Sequence, residues 1–152
     1  MREILFRGKR LDNGEWVSAH SLLMNIVNND VLYHIGAANV ARVWTDDHGN
    51  ISCADGSGDY LFYAVEPETV GQFTGLTDKN GKKIFEGDIL TIQNDTPFEM
   101  TGQIIFEDGC FQLRDPACDM YECLWYKAEE MEVVGTIHDN PELLEGGVED
   151  GK

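Results

Sequence analysis

A short basic run near the start of the chain contains the side chains best suited to contact an anion. Arg7, Lys9 and Arg10 surround Gly8, and Arg2 precedes them. Guanidinium and ammonium groups bind phosphate oxygens, so this run is the local patch through which the chain could contact nucleic acid. Such a cluster is more often a solvated strand end, and the sequence leaves both interpretations open.

Two carboxylates flank a glycine in the middle of the chain. Glu86 and Asp88 lie on either side of Gly87, at the start of an alternating apolar segment. Paired carboxylates can act as general acid and general base when they share a cleft. No second group in the sequence supports such a pair, whereas a glycine at the entry to a strand is typical of a structural turn. We therefore favour a structural motif and keep a binding site as the alternative.

Two acidic segments have residue types that bind metal ions, but their spacing argues against a metal site. Residues 78–81 begin like a calcium loop, yet the glycine arrives too early and the following ligand positions hold Lys82 and Ile84. Residues 46–48 are two aspartates and a histidine in a turn, where adjacent side chains usually point apart. We therefore expect no bound metal.

The cysteines and histidines of the chain are scattered. No CxxC, HxxxH or HxH spacing occurs, and the chain has no phosphate-binding glycine loop, dinucleotide fingerprint or GxSxG motif. The residues concerned are Cys53, Cys110, Cys118, Cys123, His20, His34, His48 and His138. We expect reduced cysteines, no catalytic, cofactor-binding or metal-binding residues, no cofactor and no enzymatic activity.

The chain is strongly acidic, and its charge is uneven. Its 152 residues carry a formal net charge of −17. Residues 1–64 hold five Lys and Arg against eight Asp and Glu, whereas residues 65–152 hold six against twenty. Such a surface repels phosphate backbones at long range, which opposes nucleic-acid binding. It also leaves an alternative, in which the protein imitates nucleic-acid charge and inhibits a host DNA-binding protein.

The sequence has no feature of a membrane or secreted protein. The first residues lack the apolar core of a signal peptide, and no apolar run is long enough to span a bilayer. We therefore expect a cytoplasmic protein that makes no membrane contact.

Short strands joined by tight turns must position these side chains, because sixteen glycines in 152 residues favour turns over long helices. Asn13 and Gly14 form a strong turn signal between residues 3–7 and 15–18, which predicts a hairpin that carries the basic run. The aromatic and β-branched segment 60–65 predicts the strongest strand of the N-terminal half.

The second half has the pattern of a small barrel. Asp-Gly at 108–109 separates two alternating segments, which is the clearest hairpin signal in the chain. About five short strands are predicted between residues 70 and 139, and this number fits an SH3-like barrel. Apolar spacing of i, i+3, i+4 and i+7 predicts helical turns over 121–128, and Asn-Pro at 140–141 predicts a helix start.

The sequence thus predicts a mainly β protein with few short helices, divided at the strand-breaking segment 66–68. A small N-terminal β-rich region covers residues 1–66, and a C-terminal SH3-like barrel covers residues 67–145. Residues 146–152 are rich in glycine and acids, which predicts a disordered tail.

Three segments together carry a resemblance to a known family. They are residues 4–9 (ILFRGK), 71–89 (GQFTGLTDKNGKKIFEGDI) and 134–144 (VGTIHDNPELL). On these segments the chain resembles the YopX-like proteins of bacteriophages and prophages of low-GC Gram-positive bacteria. The resemblance extends over nearly the whole chain, although residues 20–60 and 93–128 match only in position and length. It implies a β-rich fold with a C-terminal SH3-like barrel and a tendency to self-associate, and it supplies no activity or catalytic residues.

The residues and the resemblance together predict an uncharacterised phage accessory protein in the cytoplasm of the host bacterium. We expect a non-enzymatic homo-oligomer that binds a host or phage protein. The alternatives are a nucleic-acid-associated SH3-like barrel, which would use Arg2, Arg7, Lys9 and Arg10, and the acidic mimic of nucleic acid described above.

Overall fold

A computed structural model describes residues 3–27, 30–36, 42–45, 51–54, 59–92, 100–116, 120–123 and 130–145 of the chain. These residues form fifteen β-strands, one 3₁₀ turn and one short α-helix, so the predicted mainly β class is confirmed. The chain divides into two compact units, Met1–Gln72 and Phe73–Lys152. No helix in the described ranges has the length and apolar character needed to cross a bilayer.

The first unit consists of short antiparallel strands. Its elements are β1 (Phe6–Lys9), β2 (Trp16–Ala19), β3 (Ser21–Val27), β4 (Asp30–Gly36), β5 (Arg42–Thr45), β6 (Ile51–Ala54), β7 (Asp59–Leu61), β8 (Tyr63–Val65) and the 3₁₀ turn η1 (Pro67–Thr69). β1 pairs with β2, β4 lies between β3 and β8, and β6 lies between β5 and β7. The single strand predicted over residues 60–65 is therefore interrupted at Phe62, between β7 and β8.

The hairpin of β1 and β2 forms around the predicted turn, although its first strand covers Phe6–Lys9 instead of the predicted residues 3–7. Lys9 pairs with Trp16 across the ladder. Gly14 adopts the positive φ of 73° that the tight loop requires. The side-chain Oδ1 of Asn13 accepts the N–H of Glu15 over 2.9 Å. Both residues that predicted the turn therefore form it.

One face of this hairpin is packed against the interior of the first unit. A Cβ atom at Gly8 would lie 2.9 Å from the Cβ of Val65, so only glycine fits there without displacement. Among the side chains of this unit that the structure describes, the buried apolar ones are Leu5, Ile35, Phe62 and Val65. Because successive side chains of a strand alternate in direction, the neighbours of Gly8 on β1 point away from this core.

The second unit is built on a five-stranded antiparallel sheet. Its elements are β9 (Gly71–Thr77, of which the first two residues belong to the first unit), β10 (Lys83–Phe85), β11 (Asp88–Ile92), β12 (Met100–Glu107), β13 (Cys110–Asp115), β14 (Met120–Cys123), β15 (Met131–Thr136) and α1 (Glu142–Glu145). β9 pairs with β10, and the sheet has the order β14-β13-β12-β11-β15. Closure of this sheet into an SH3-like barrel stays a prediction, as does the domain boundary after residue 66.

The β12–β13 hairpin confirms the second turn prediction. Asp108 and Gly109 have φ angles of 52° and 80°, which is the left-handed conformation that a two-residue hairpin loop needs. Phe106 lies opposite Phe111, with ring centroids 5.0 Å apart. Among the described residues of this unit, one buried apolar cluster contains Ile84, Leu90, Ile92, Met100, Ile104, Leu113 and Met131.

The predicted helical turns over 121–128 are wrong for the residues that the structure describes there. Tyr121 belongs to strand β14 and pairs with Arg114 of β13. Backbone pairing with an existing sheet outweighs a helical spacing this short, because isolated helical turns are unstable in water. Residues 124–128 lie outside the described residues, as does the predicted tail 146–152.

The helix start at Asn140 is confirmed by α1 and by the Leu143 N–H, which donates to the Asn140 carbonyl.

Candidate functional site

The outward face of the β1–β2 hairpin brings two of the predicted basic residues together with a tryptophan. In an antiparallel pair, residues directly opposite each other point to the same side. Arg7 and Lys9 therefore share a face with their partners Ser18 and Trp16. We call these four residues the cationic face. Three of them are half-buried, and Ser18 is exposed.

Trp16 orders both cations of this face. The Cζ atom of Arg7 lies 4.6 Å from the ring centroid, and the Nζ atom of Lys9 lies 5.8 Å from it. Both distances fall within the cation–π range, where each contact contributes about 0.5–1 kcal/mol at an exposed site. The two charges are consequently held in a defined arrangement on the surface.

Arg10 belongs to a separate and locally neutral arrangement. Its Cζ atom lies 4.0 Å above the ring of Tyr63, and its Nε donates to Oδ1 of Asp12 over 2.9 Å. A second hydrogen bond joins Nη2 to Oδ2, so the pair is bidentate. The hydrogen bond from Arg10 lowers the pKa of Asp12, and the same bond raises the pKa of Arg10. Arg10 therefore adds little net charge to the surface.

A buried threonine fixes the strand that carries the cationic face. The backbone N–H of Lys9 donates to Oγ1 of Thr69 over 2.9 Å, and this hydroxyl donates to the Glu66 carbonyl over 2.7 Å. The Glu66 N–H in turn donates to the Lys9 carbonyl over 2.8 Å. Both backbone polar groups of Lys9 are thus anchored to the chain around η1.

The sequence identified the cations of this face but missed the residues that organise them. Trp16 could have been found, because counting outward from the turn at Asn13 and Gly14 pairs it with Lys9. Thr69 gives no such signal, since it is sixty residues away from Lys9 in the chain. Arg2, the fourth basic residue predicted for the patch, lies outside the described residues.

The carboxylate pair predicted around Gly87 is built into a turn. Asp88 is 1% exposed, and its Oδ2 accepts the N–H of Phe85 over 2.8 Å. Gly87 has a φ of 90° and donates its N–H to the Ile104 carbonyl over 2.9 Å. Its carbonyl accepts the N–H of Ile137 over 2.9 Å. This turn therefore joins β11 to its neighbours, and the geometry supports the structural interpretation.

The loop that begins like a calcium site is also closed by its own aspartate. Asp78 is 5% exposed, and its carboxylate accepts the N–H groups of Asn80 and Lys82 at Oδ1 and that of Val133 at Oδ2. Burial raises the pKa of this carboxyl, but the hydrogen bonds from Val133, Lys82 and Asn80 act in the opposite direction. The balance holds the pKa of Asp78 below its ordinary value.

The remaining candidates for chemistry do not come together in what the structure describes. No three His, Cys, Asp or Glu residues in those ranges are grouped as a metal site requires. His34 is buried in the first unit, and His20 lies 3.6 Å from Glu3 at the surface. Cys110 is a free thiol whose Sγ lies 3.7 Å from the Glu107 carbonyl. The side chains of Cys53, Cys118, Cys123 and residues 46–48 lie outside the described part.

The fold is that of a small mainly β protein with two antiparallel units, of which the first displays a cationic and aromatic strand face. The family follows from sequence comparison. The family model described as "YopX protein" matches residues 5–145, so the chain belongs to the YopX family, and the resemblance seen in the sequence is confirmed. Comparison with curated proteins gives no match.

Two solved structures share the fold. One is protein EF1440 from Enterococcus faecalis, with 22% sequence identity and a TM-score of 0.52 over 95% of this chain and 99% of that chain. The other is protein yopX from Bacillus subtilis, with 17% identity and a TM-score of 0.51 over 95% of this chain and 97% of that chain. At these identities the likeness concerns the fold alone.

Proposed function

We propose that this YopX-family chain is a non-enzymatic accessory protein of a bacteriophage or prophage. It acts in the cytoplasm of the host bacterium, forms homo-oligomers and binds a host or phage protein. The observation that carries the proposal is the cationic face, in which Trp16 lies beside Arg7 and Lys9 on a strand anchored by Thr69.

A surface of this composition suits protein recognition. Tryptophan and arginine are the side chains most enriched among residues that dominate binding energy at protein interfaces. The cation–π contacts with Trp16 restrict the long side chains before any partner arrives. Such preorganisation reduces the entropy that binding would otherwise cost.

One carboxylate from each of the two acidic motifs accepts backbone hydrogen bonds. Asp88 accepts the N–H of Phe85, and Asp78 accepts three N–H groups. A carboxylate that accepts backbone N–H groups stabilises its turn, and these bonds favour its charged form. This supports a binding role over an enzymatic one.

Exposed apolar side chains support self-association. Each unit has large hydrophobic residues at the surface, of which Met24 is 66% exposed and Phe106 is 55% exposed. Within the part of the chain that the structure describes, these residues are Ile4, Leu11, Met24, Phe106, Val134 and Leu143. Apolar surface of this kind is covered when copies of a protein associate, and a chain of net charge −17 would associate more readily as salt screens its repulsion.

The test is affinity capture from lysate of a Gram-positive host, with and without nuclease, followed by mass spectrometry. The same preparation is examined by light scattering for its oligomeric state. We expect a specific protein that survives nuclease and an assembly larger than the monomer. A monomer at micromolar concentration that captures nothing would contradict the proposal.

Nucleic-acid association is the second candidate, and the same two cations are the observation in its favour. Tyr63 and Trp16 already contact the chain's own cations, so a base would have to compete for these rings. Binding to single- and double-stranded DNA and RNA at low salt tests this candidate function, because low salt maximises any such affinity.

The acidic mimic of nucleic acid, in which acids are spaced like phosphates, predicts instead that a captured partner is released by competing DNA.

A further inference from the structure

We propose that the cationic face binds an extended acidic peptide segment of a partner protein, with carboxylates at alternate positions. The inference rests on the protein-binding function proposed above and names the chemistry of the partner. It has four supports: the spacing of Arg7 and Lys9, the contact of Arg7 with the Trp16 ring, the net charge of the chain, and the small exposed residue opposite Arg7.

The spacing of the two cations matches an extended peptide. Arg7 and Lys9 are two residues apart on β1 and point to the same side. The backbone positions of two such residues are about 7 Å apart along a strand, since each residue advances the chain by about 3.4 Å. Acidic side chains at positions i and i+2 of an extended peptide have the same separation. One carboxylate can therefore contact each cation.

The ring contacts favour a carboxylate over a nucleic-acid base. The guanidinium of Arg7 lies over the ring of Trp16, at 4.6 Å from the centroid. A base could stack on this side of the ring only by displacing the guanidinium. A carboxylate instead accepts N–H groups from the edge of the guanidinium plane and leaves the stacked contact intact.

The net charge of the whole chain also favours an acidic peptide over a nucleic acid as the ligand. At a net charge of −17, the protein repels a long polyanion along its entire length. A short peptide with a few carboxylates experiences this repulsion over a small area, where the local field of Arg7 and Lys9 acts. The balance therefore favours an acidic peptide over DNA or RNA.

The residue opposite Arg7 on β2 leaves room for an added chain. Across the two ladders, Arg7 has Gly71 on one side and Ser18 on the other. Gly71 is buried, whereas Ser18 is small and exposed, with a hydroxyl that can donate to a peptide carbonyl or carboxylate.

The test uses a fluorescein-labelled peptide of alternating glutamate and serine, titrated with the full-length protein and followed by fluorescence anisotropy. We expect binding that weakens as salt rises to about 0.15 M, since screening acts on exposed charges. The double variant Arg7→Gln/Lys9→Gln should bind at least about tenfold more weakly, in keeping with the loss of two charge-assisted contacts. A peptide of alternating glutamine and serine should not bind.

The matched control is Lys82→Gln/Lys83→Gln, which removes two exposed lysine charges from the second unit. Its affinity for the acidic peptide should stay within about twofold of wild type, because long-range charge effects are small in salt. Arg7→Lys preserves the charge but not the forked geometry, and we expect an intermediate affinity. Circular dichroism of each variant checks the fold. If the double variant is unfolded, Arg7→Lys and the glutamine peptide still decide the question.

Three results would overturn the inference. They are equal binding by the Arg7→Gln/Lys9→Gln variant, equal binding of the glutamine peptide, and tighter Arg7-dependent binding of oligo-dT than of the acidic peptide. The capture experiment separates this failure from failure of the proposed function. A partner protein captured equally well by wild type and by the double variant would leave the protein-binding function intact and reject this site.

Discussion

The carboxylate of Asp78 accepts a hydrogen bond over 3.0 Å from the backbone N–H of Val133, which is fifty-five residues later in the chain. The same carboxylate accepts the N–H groups of Asn80 and Lys82 within its own turn. The Lys79 N–H adds a bond of 2.9 Å to the Met131 carbonyl. One buried acid therefore fastens the β9–β10 turn to strand β15.

Replacement of Asp78 by asparagine should destabilise the protein by about 2–3 kcal/mol, because an amide cannot accept all three N–H groups and leaves a buried donor unpaired. Urea unfolding followed by circular dichroism measures the change. The matched control is Glu107→Gln, which removes an exposed acid bonded to Arg114 and should cost at most about 1 kcal/mol. Equal losses of unfolding free energy in the two variants would argue against a role of Asp78 in holding the β9–β10 turn against β15.

The contribution of Asp78 to stability should disappear in acid. Its pKa in the folded protein is lowered from an ordinary value of 3.8. A carboxyl with a lowered folded pKa stabilises the native state above its unfolded pKa and loses this contribution as the pH falls through the folded pKa. The gap in urea midpoint between wild type and Asp78→Asn should stay constant from neutral pH to about pH 5 and then shrink below pH 4. A gap that is independent of pH down to pH 2 would contradict this.

Local turn chemistry explains the parts of the fold that the sequence predicts. Asn13 with Gly14, and Asp108 with Gly109, favour left-handed backbone by themselves, and both hairpins form where expected. The helical spacing at Tyr121 failed because pairing with a strand already in the sheet is not visible in a local pattern.

Contacts between residues that are distant in the chain account for the features of the fold and of the candidate site that the sequence does not predict. The acids Asp78 and Asp88 were noticed as motifs, yet their partners Val133 and Phe85 are backbone groups without a residue signature. The candidate site likewise depends on a contact with a residue that is distant in the chain. Arg7 and Lys9 are visible as a basic run, but the anchoring hydroxyl of Thr69 comes from the far end of the first unit.

Gly102 should tolerate no side chain, because β12 and β13 approach closely there. A Cβ at this position would lie 2.5 Å from the Arg114 carbonyl oxygen and 2.7 Å from its carbon. Both are backbone atoms of the paired strand, so Gly102→Ala must open the ladder. We expect a loss of about 2–4 kcal/mol, in the range of severe overpacking, measured as the free energy of unfolding in urea.

The control for this prediction is Gly109→Ala in the adjoining loop. Gly109 has a φ of 80° but no atom within 4 Å of the added Cβ. It should therefore show only the backbone strain of about 1 kcal/mol. If Gly102→Ala were no more destabilising than Gly109→Ala, the close approach of the two strands would be excluded.

Thr69 should control both the stability of the first unit and the binding strength of the cationic face. Its hydroxyl accepts the Lys9 N–H and donates to the Glu66 carbonyl, and the residue is 3% exposed. Thr69→Val has nearly the same volume but removes the acceptor of the Lys9 N–H, whereas the Glu66 carbonyl keeps its bond from the backbone N–H of residue 69. We therefore expect a loss of about 1–3 kcal/mol. The strand beside Trp16 loses one of its anchors, and affinity for the acidic peptide should fall severalfold.

The measurement combines urea unfolding with the anisotropy titration, and Thr77→Val is the control. Thr77 is exposed on β9, so the same atomic change should shift neither quantity appreciably. Hydrogen exchange gives a more local readout, because the Lys9 amide should lose protection in Thr69→Val before the amides of β12 and β13 do. Unchanged protection of Lys9 in this variant would mean that Thr69 does not anchor the strand.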